Sequence, residues 1–274
     1  MVQFMTEMRY LQTEKPVLTT AIVRSPSRNF ADGITNSGLP APNYELAVKQ
    51  HQAYCGTLES LGLTLIHLTA DERYPDSTFV EDTAILTKSG AVITRPGAPA
   101  RRLEVNEIRR SLDQFYSLVK TIESPGTLDG GDVCQVEDHF FVGISERTNE
   151  HGANQLEKIL KAFGYSSTMV DIRHFSPRLL HLKSGIAYLG RNKLVVDAVL
   201  LGREELFKQF DVITPDADES YAANCLAFEN TIVIAAGYPR FDSQVRKAGF
   251  STVALDMSEF QKMDGGLSCL SLRF

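Results

Sequence analysis

Val133-Cys134-Gln135-Val136-Glu137-Asp138-His139-Phe140-Phe141-Val142-Gly143-Ile144 decides how the chain is organised. Two short runs rich in β-branched and aromatic residues, Val133–Val136 and Phe140–Ile144, flank the polar turn Glu137-Asp138-His139, which predicts an antiparallel hairpin. A helix over Gly152–Phe163 follows. The same grammar returns downstream: strands Asn224–Phe228 and Thr231–Ala235 turn at Glu229-Asn230 and lead into a helix over Asp242–Ala248. A strand pair and helix repeated along one chain predict a pseudo-repeated α/β architecture rather than one doubly wound sheet.

Working outward, further strands are expected at Val17–Val23, Leu63–Leu68, Thr83–Thr87, Ala91–Thr94, Ile186–Leu189, Lys193–Val196 and Leu267–Leu272. Asn43 caps a helix that stops at Gly62, and two more helices are expected at Glu104–Ser117 and Glu204–Phe210. Residues 1–16 read as a poorly ordered leader ended by Pro16. No Pro/Ser-rich linker or composition break interrupts 17–274, which reads as a single domain. Gly130-Gly131 and Gly265-Gly266 lack the flanking pattern of either nucleotide fingerprint.

The composition, 43% hydrophobic and 23% charged over 274 residues, is that of a globular protein. With 34 acidic and 28 basic residues the net charge is −6, so no whole-molecule basic field exists to hold nucleic acid. A cationic small-molecule partner suits that balance. Cys55, Cys134, Cys225 and Cys269 are widely spaced, unlike a zinc site or a disulfide framework. Polar residues 1–16 do not resemble a signal peptide, and no apolar run is long enough to span a membrane. The expectation is a soluble cytoplasmic protein with reduced thiols.

Three stretches place reactive groups where a strand or turn has little use for them. Asp76-Ser77-Thr78-Phe79-Val80-Glu81-Asp82 concentrates carboxylates ahead of a strand; it reads either as a solvated loop or as an arm toward a cation. In Asp129-Gly130-Gly131-Asp132 the paired glycines permit close backbone approach, yet a plain turn fits as well. Asp264-Gly265-Gly266-Leu267-Ser268-Cys269 puts a thiol just after a Gly-Gly turn, although most such cysteines are small buried hydrophobes. Histidine is the natural proton partner for a thiol near neutrality, and His181, in Leu180-His181-Leu182-Lys183-Ser184, precedes a strand pair.

Together these blocks resemble a known family. Phe79-Val80-Glu81-Asp82, Ile93-Thr94-Arg95-Pro96-Gly97-Ala98, Leu128-Asp129-Gly130-Gly131-Asp132, Arg147-Thr148-Asn149, Leu180-His181-Leu182-Lys183-Ser184 and Asp264–Cys269 occur in the order found in the dimethylarginine dimethylaminohydrolases. These belong to the wider guanidino-group-modifying (pentein) superfamily. Tyr221-Ala222-Ala223-Asn224-Cys225 and the terminal Ser268–Phe274 look like the bacterial branch. The resemblance implies a five-fold pseudo-symmetric α/β propeller of ββαβ units. It also implies hydrolysis of N-omega-methylated arginines to citrulline without metal or cofactor, and in many members a homodimer. It assigns Cys269 as nucleophile, His181 as general acid and base, and Asp129 as the acid that holds the histidine and the guanidinium region. Asp82 is expected on guanidinium nitrogens with Glu81 beside it, Asp76 and the backbones of Ile34 and Met263 around the amino-acid end, and Arg101 and Arg147 on the substrate carboxylate.

A planar, permanently charged guanidinium presents donors on all its nitrogens, and carboxylates are the complementary acceptors. Two alternatives stay open on the sequence. Arginine deiminases of the same superfamily carry an aspartate two residues after the histidine, where this chain has Lys183. Some penteins are non-catalytic binding modules, but those would be expected to lack the Cys/His/acid set.

Overall fold

A computed structural model describes residues 18–175 and 179–274. The leader 1–16, and Val17 of the first expected strand, lie outside the described residues. The chain runs through β1 (Thr20–Arg24), α1 (Tyr44–Ser60) and β2 (Thr64–Leu68), then β3 (Ala84–Thr87), β4 (Gly90–Ile93), α2 (Val105–Leu112) and β5 (Val119–Thr121). Next come β6 (Val133–Val136), β7 (His139–Ile144), α3 (Glu150–Ala162) and β8 (Ser166–Asp171), followed by β9 (Ile186–Gly190), β10 (Lys193–Val196), α4 (Glu204–Phe207) and β11 (Asp211–Ile213). The last stretch holds β12 (Leu226–Phe228), β13 (Thr231–Ala235), α5 (Pro239–Lys247), β14 (Ser251–Leu255), α6 (Ser258–Gln261) and β15 (Ser271–Arg273).

Among the described residues these strands form five three-stranded sheets with one plan. In four of them a hairpin pairs the first two strands antiparallel, and after a helix the third strand lies parallel to the second. The fifth sheet is assembled from both ends of the described chain: β15 pairs antiparallel with β1, placing Ile22 opposite Leu272, and β1 pairs parallel with β2. Each first strand is preceded by a short 3-10 turn, at Val80–Thr83, Gly130–Asp132, Leu182–Ser184, Ala217–Ala223 and Ser268–Leu270. Asp82 and Cys269 sit within two of these turns, and Asp129 and His181 immediately precede two others.

Local chemistry accounts for the elements. Asn43 and Asn149 accept hydrogen bonds from Leu46 N and Gly152 N at 2.8 Å, satisfying donors that a helix start leaves without partners. Middle strands such as Gly90–Ile93 are buried along their whole length and so read as continuous apolar runs. At the turn of the first quoted hairpin Glu137 adopts a positive φ of 56°, and at the second Glu229 does so at 49°.

Several expected boundaries shift. Leu267–Leu272 is not one strand: Ser268–Leu270 coils into a 3-10 turn and only Ser271–Arg273 is extended, because Asn224 captures the Ser268 backbone N–H at 2.9 Å. For the same reason Asn224 belongs to a turn and β12 starts at Leu226. The expected Glu104–Ser117 helix ends at Leu112 and Glu204–Phe210 ends at Phe207. The third strands β5, β8, β11 and β14 carry no continuous apolar run, since apart from the buried Val170 of β8 their positions are exposed or half-buried.

Leu272, 4% exposed, anchors β15 in the apolar cluster around Ile22, Val80 and Ile93. Leu272→Ala is expected to destabilise the protein by about 2–5 kcal/mol, read from urea unfolding; a loss below about 0.5 kcal/mol, the range of neutral surface changes, would mean that the closing strand contributes little to the core.

Candidate active site

The turn Val80–Thr83 carries Asp82, residue 129 leads into the turn Gly130–Asp132, His181 leads into Leu182–Ser184, and Cys269 sits within Ser268–Leu270. Residues far apart in sequence thereby reach one cleft. Cys269, His181, Asp82, Asp76, Arg101, Arg147, Ile34 and Met263 line it, together with Phe79, Leu180, Asp264 and Gly265. Its lining mixes these charged groups with the apolar side chains of Phe79, Leu180 and Met263.

The imidazole is held from behind. Asp129, with no exposed surface, uses Oδ2 on His181 Nε2 at 3.1 Å and accepts the Gly97 N–H on Oδ1 at 2.8 Å. Asp82 Oδ1 lies 4.0 Å from the same ring nitrogen. Nδ1 has no hydrogen bond to a described residue and lies against Gly131, where a Cβ would stand 2.7 Å from it. Glycine at 131 is therefore a requirement of close approach. Burial alone would lower the His181 pKa, but the carboxylates of Asp82, Asp132 and Asp129 overcome it and raise the pKa to about 9. The ring is thus an imidazolium at neutral pH.

Asp82 is fixed at both oxygens, by the Gly131 N–H on Oδ1 at 3.0 Å and by Arg101 Nη1 on Oδ2 at 2.6 Å. Burial pushes Asp82 upward, yet the His181 and Arg101 cations outweigh it and hold the carboxyl below its ordinary value. Cys269 is half-buried, and its sulfur accepts the Gly266 N–H at 3.3 Å. Burial, with Glu81 and Asp82 nearby, pushes the thiol up to about 12, so the resting sulfur is protonated. An incoming cation would offset those carboxylates and favour the thiolate.

Three expected placements need amendment. Glu81 does not line the cleft: Lys183 Nζ and Ser268 Oγ hold its two oxygens, and it faces a separate cavity bordered by Cys134 and Cys225. Its carboxylate points the other way because Lys183, not the substrate, neutralises it. Asp129 holds His181 on one oxygen and the Gly97 N–H on the other, and it is not among the residues that line the cleft. Arg101 is buried and ion-paired to Asp82 and Glu104, with further bonds to the Asp76 and Phe79 carbonyls. All but one Nη1 hydrogen of its guanidinium is committed, so it props Asp82 and keeps a single donor for another acceptor. Arg147 is half-buried and its guanidinium makes no hydrogen bond or ion pair with a described residue. At the opposite wall the Ile34 N–H donates to both Asp76 oxygens at 3.1 Å, and Met263 is 3% exposed.

Sequence reasoning missed Glu104, Asp132 and Asn224. Asp132 accepts from Ser145 Oγ, Thr148 Oγ1 and the Leu182 N–H, which ties the second turn to the residue after His181. Its place in the quoted Asp-Gly-Gly-Asp block was the available signal. Glu104, an ordinary acid at a helix start, offered none. Donor atoms of Asp82, Asp129 and His181 also lie within 4.8 Å of one another, a spacing that a metal ion could use. Each of those carboxylate oxygens already accepts an N–H.

Replacing Asp129 by Asn removes both a hydrogen bond and a charge from the imidazolium. The His181 titration followed by NMR is expected near pH 9 in the parent and roughly one unit or more lower in D129N. The stabilisation from this contact is complete below pH 6.5 and is lost as pH rises through about 9. An unchanged midpoint would show that Asp129 does not hold the ring.

The family model described as arginine deiminase matches residues 72–220. The N(G),N(G)-dimethylarginine dimethylaminohydrolase of Pseudomonas aeruginosa is 42% identical over 254 residues, covering 92% of this chain and 98% of that protein. Its namesake from Streptomyces coelicolor is 32% identical over 254 residues, covering 92% of this chain and 96% of the other. A solved structure of the Pseudomonas aeruginosa enzyme, a cysteine-to-serine mutant complexed with citrulline, superposes with a TM-score of 0.90 at 40% identity, covering 94% of this chain and all of that one. Relatives this similar over nearly the whole length, and a site drawn from the same ordered blocks, establish that the chain belongs to the dimethylarginine dimethylaminohydrolase family.

Proposed function

We propose that the protein hydrolyses N-omega-methylated arginines, dimethylarginine and monomethylarginine, to citrulline and dimethylamine or methylamine. The observation that carries this reading is the convergence of a half-buried thiol, an imidazolium and a paired carboxylate on one small cleft. The citrulline held by the similar Pseudomonas aeruginosa structure supports it.

The cleft's own chemistry supplies a route. A guanidinium beside Asp82 brings a cation to the Cys269 thiol, which releases its proton to solvent and adds as the thiolate to the central guanidinium carbon. His181, protonated at rest, delivers a proton to the methylated nitrogen as its C–N bond breaks, and the amine departs. The carbon is left bonded to sulfur as a thiouronium cation. Neutral His181 then takes a proton from water, whose oxygen attacks the same carbon; the C–S bond breaks, the hydroxyl proton passes to the sulfur, and citrulline leaves with the thiol and the imidazolium restored. Arg147, with the remaining Nη1 hydrogen of Arg101, receives the substrate carboxylate, while Asp76 and the Ile34 and Met263 backbones surround the amino-acid end. The five sheets are read as blades of an α/β propeller, with 17–274 a single catalytic domain working in the cytoplasm.

The arginine deiminase alternative fits less well. An aspartate at 183 would stand against Glu81, where Lys183 now neutralises it.

Cys269→Ser is expected to lower citrulline release by at least ~10³-fold while dimethylarginine still binds by calorimetry; near-normal turnover would sink the covalent route. Arg147→Ala is expected to raise KM about ten- to hundred-fold with kcat little changed. A fall in kcat alone would remove Arg147 from carboxylate binding. Parallel assays with arginine and with both methylated arginines decide which guanidine is preferred.

A further inference from the structure

The turn Ala217–Ala223 supplies none of the residues that line the cleft. It ends instead in Asn224, 7% exposed, whose amide joins two other turns. Nδ2 donates to the Lys183 carbonyl and to Ser268 Oγ, both at 3.0 Å, while Oδ1 accepts the Ser268 N–H at 2.9 Å. Lys183 is two residues beyond His181, and Ser268 immediately precedes Cys269. The same amide packs against Gly266, where a Cβ would stand 2.6 Å from Asn224 Cγ, and Gly266 N–H is the donor to Cys269 Sγ. One side chain therefore touches the backbone behind the base and the backbone behind the nucleophile.

We infer that Asn224 is a positioning residue that sets the spacing between the imidazole of His181 and the sulfur of Cys269. The inference rests on the reaction proposed above. Asn224 touches no atom lining the amino-acid end, so its loss acts on the chemical steps and leaves substrate capture intact. An amide is required: a carboxylate of equal size keeps the acceptor for Ser268 N–H but turns an oxygen without a proton toward the Lys183 carbonyl.

The test compares wild type with Asn224→Asp and Asn224→Ala in steady-state hydrolysis of dimethylarginine, with thermal unfolding and the NMR resonances of the His181 ring recorded alongside. Both variants are expected to lose ~10- to 100-fold in kcat with KM within about two-fold, as misplacement by an ångström does. The His181 resonances are expected to move. Wild-type kcat in folded N224D, or a change confined to KM, overturns the inference, as does a loss of kcat that only follows the unfolded fraction. If N224A does not fold, the isosteric N224D decides alone. Should wild type release no citrulline, the proposed reaction fails, and an unmoved His181 resonance in N224D then separately overturns the positioning role.

Discussion

Buried charge that must neutralise itself is the constraint on which this site depends. Glu104, Arg101, Asp82, His181 and Asp129 follow one another with alternating sign, and each is at most 7% exposed. In so dry a setting an unpaired member would be strongly unfavourable, so each group dictates the orientation of the next. The line begins at the foot of a surface helix and ends at the back of the imidazole. Its rigidity gives the histidine a fixed place and keeps it protonated. It also explains Arg101, which looks in sequence like a ligand for an anion but serves mainly as the cation between two internal acids.

The thiol stands outside that line and is governed by the opposite logic. Burial, together with the carboxylates of Glu81 and Asp82, holds the proton on Cys269, and one backbone N–H is a modest counterweight. The sulfur is thereby dormant until positive charge enters the cleft. A neutral amide would bring none, so such an arrangement discriminates by charge before it discriminates by shape. This is a cheap form of selectivity, because the substrate itself supplies the missing electrostatic partner.

Much of the fold was legible in the sequence because hairpins with continuous apolar middle strands leave a plain signature. Asn43 and the Val133–Ile144 hairpin fell where the pattern put them. The outer third strands were invisible, being short and half-solvated, and the segment around Cys269 misled because an apolar alternation there is interrupted by a side-chain amide from residue 224. The site was legible as a set of residue types in ordered blocks. What the blocks could not reveal was which way each group faces. Glu81 and Asp82 are neighbours, yet one is taken by Lys183 and the other by Arg101, a partition decided by partners a hundred residues away in one case and nineteen in the other.

The sheet that unites β1, β2 and β15 has a kinetic corollary. Its pairing of Ala21 with Arg273 is among the most sequence-distant contacts the chain can make, and non-local pairing of that kind slows folding. The nucleophile sits one residue upstream of the turn's end that feeds this strand. The placing of the nucleophile therefore depends on the one sheet that joins both ends of the described chain. Local opening of this seam would release the turn that carries Cys269, so the integrity of the closing strand and the geometry of the sulfur are linked.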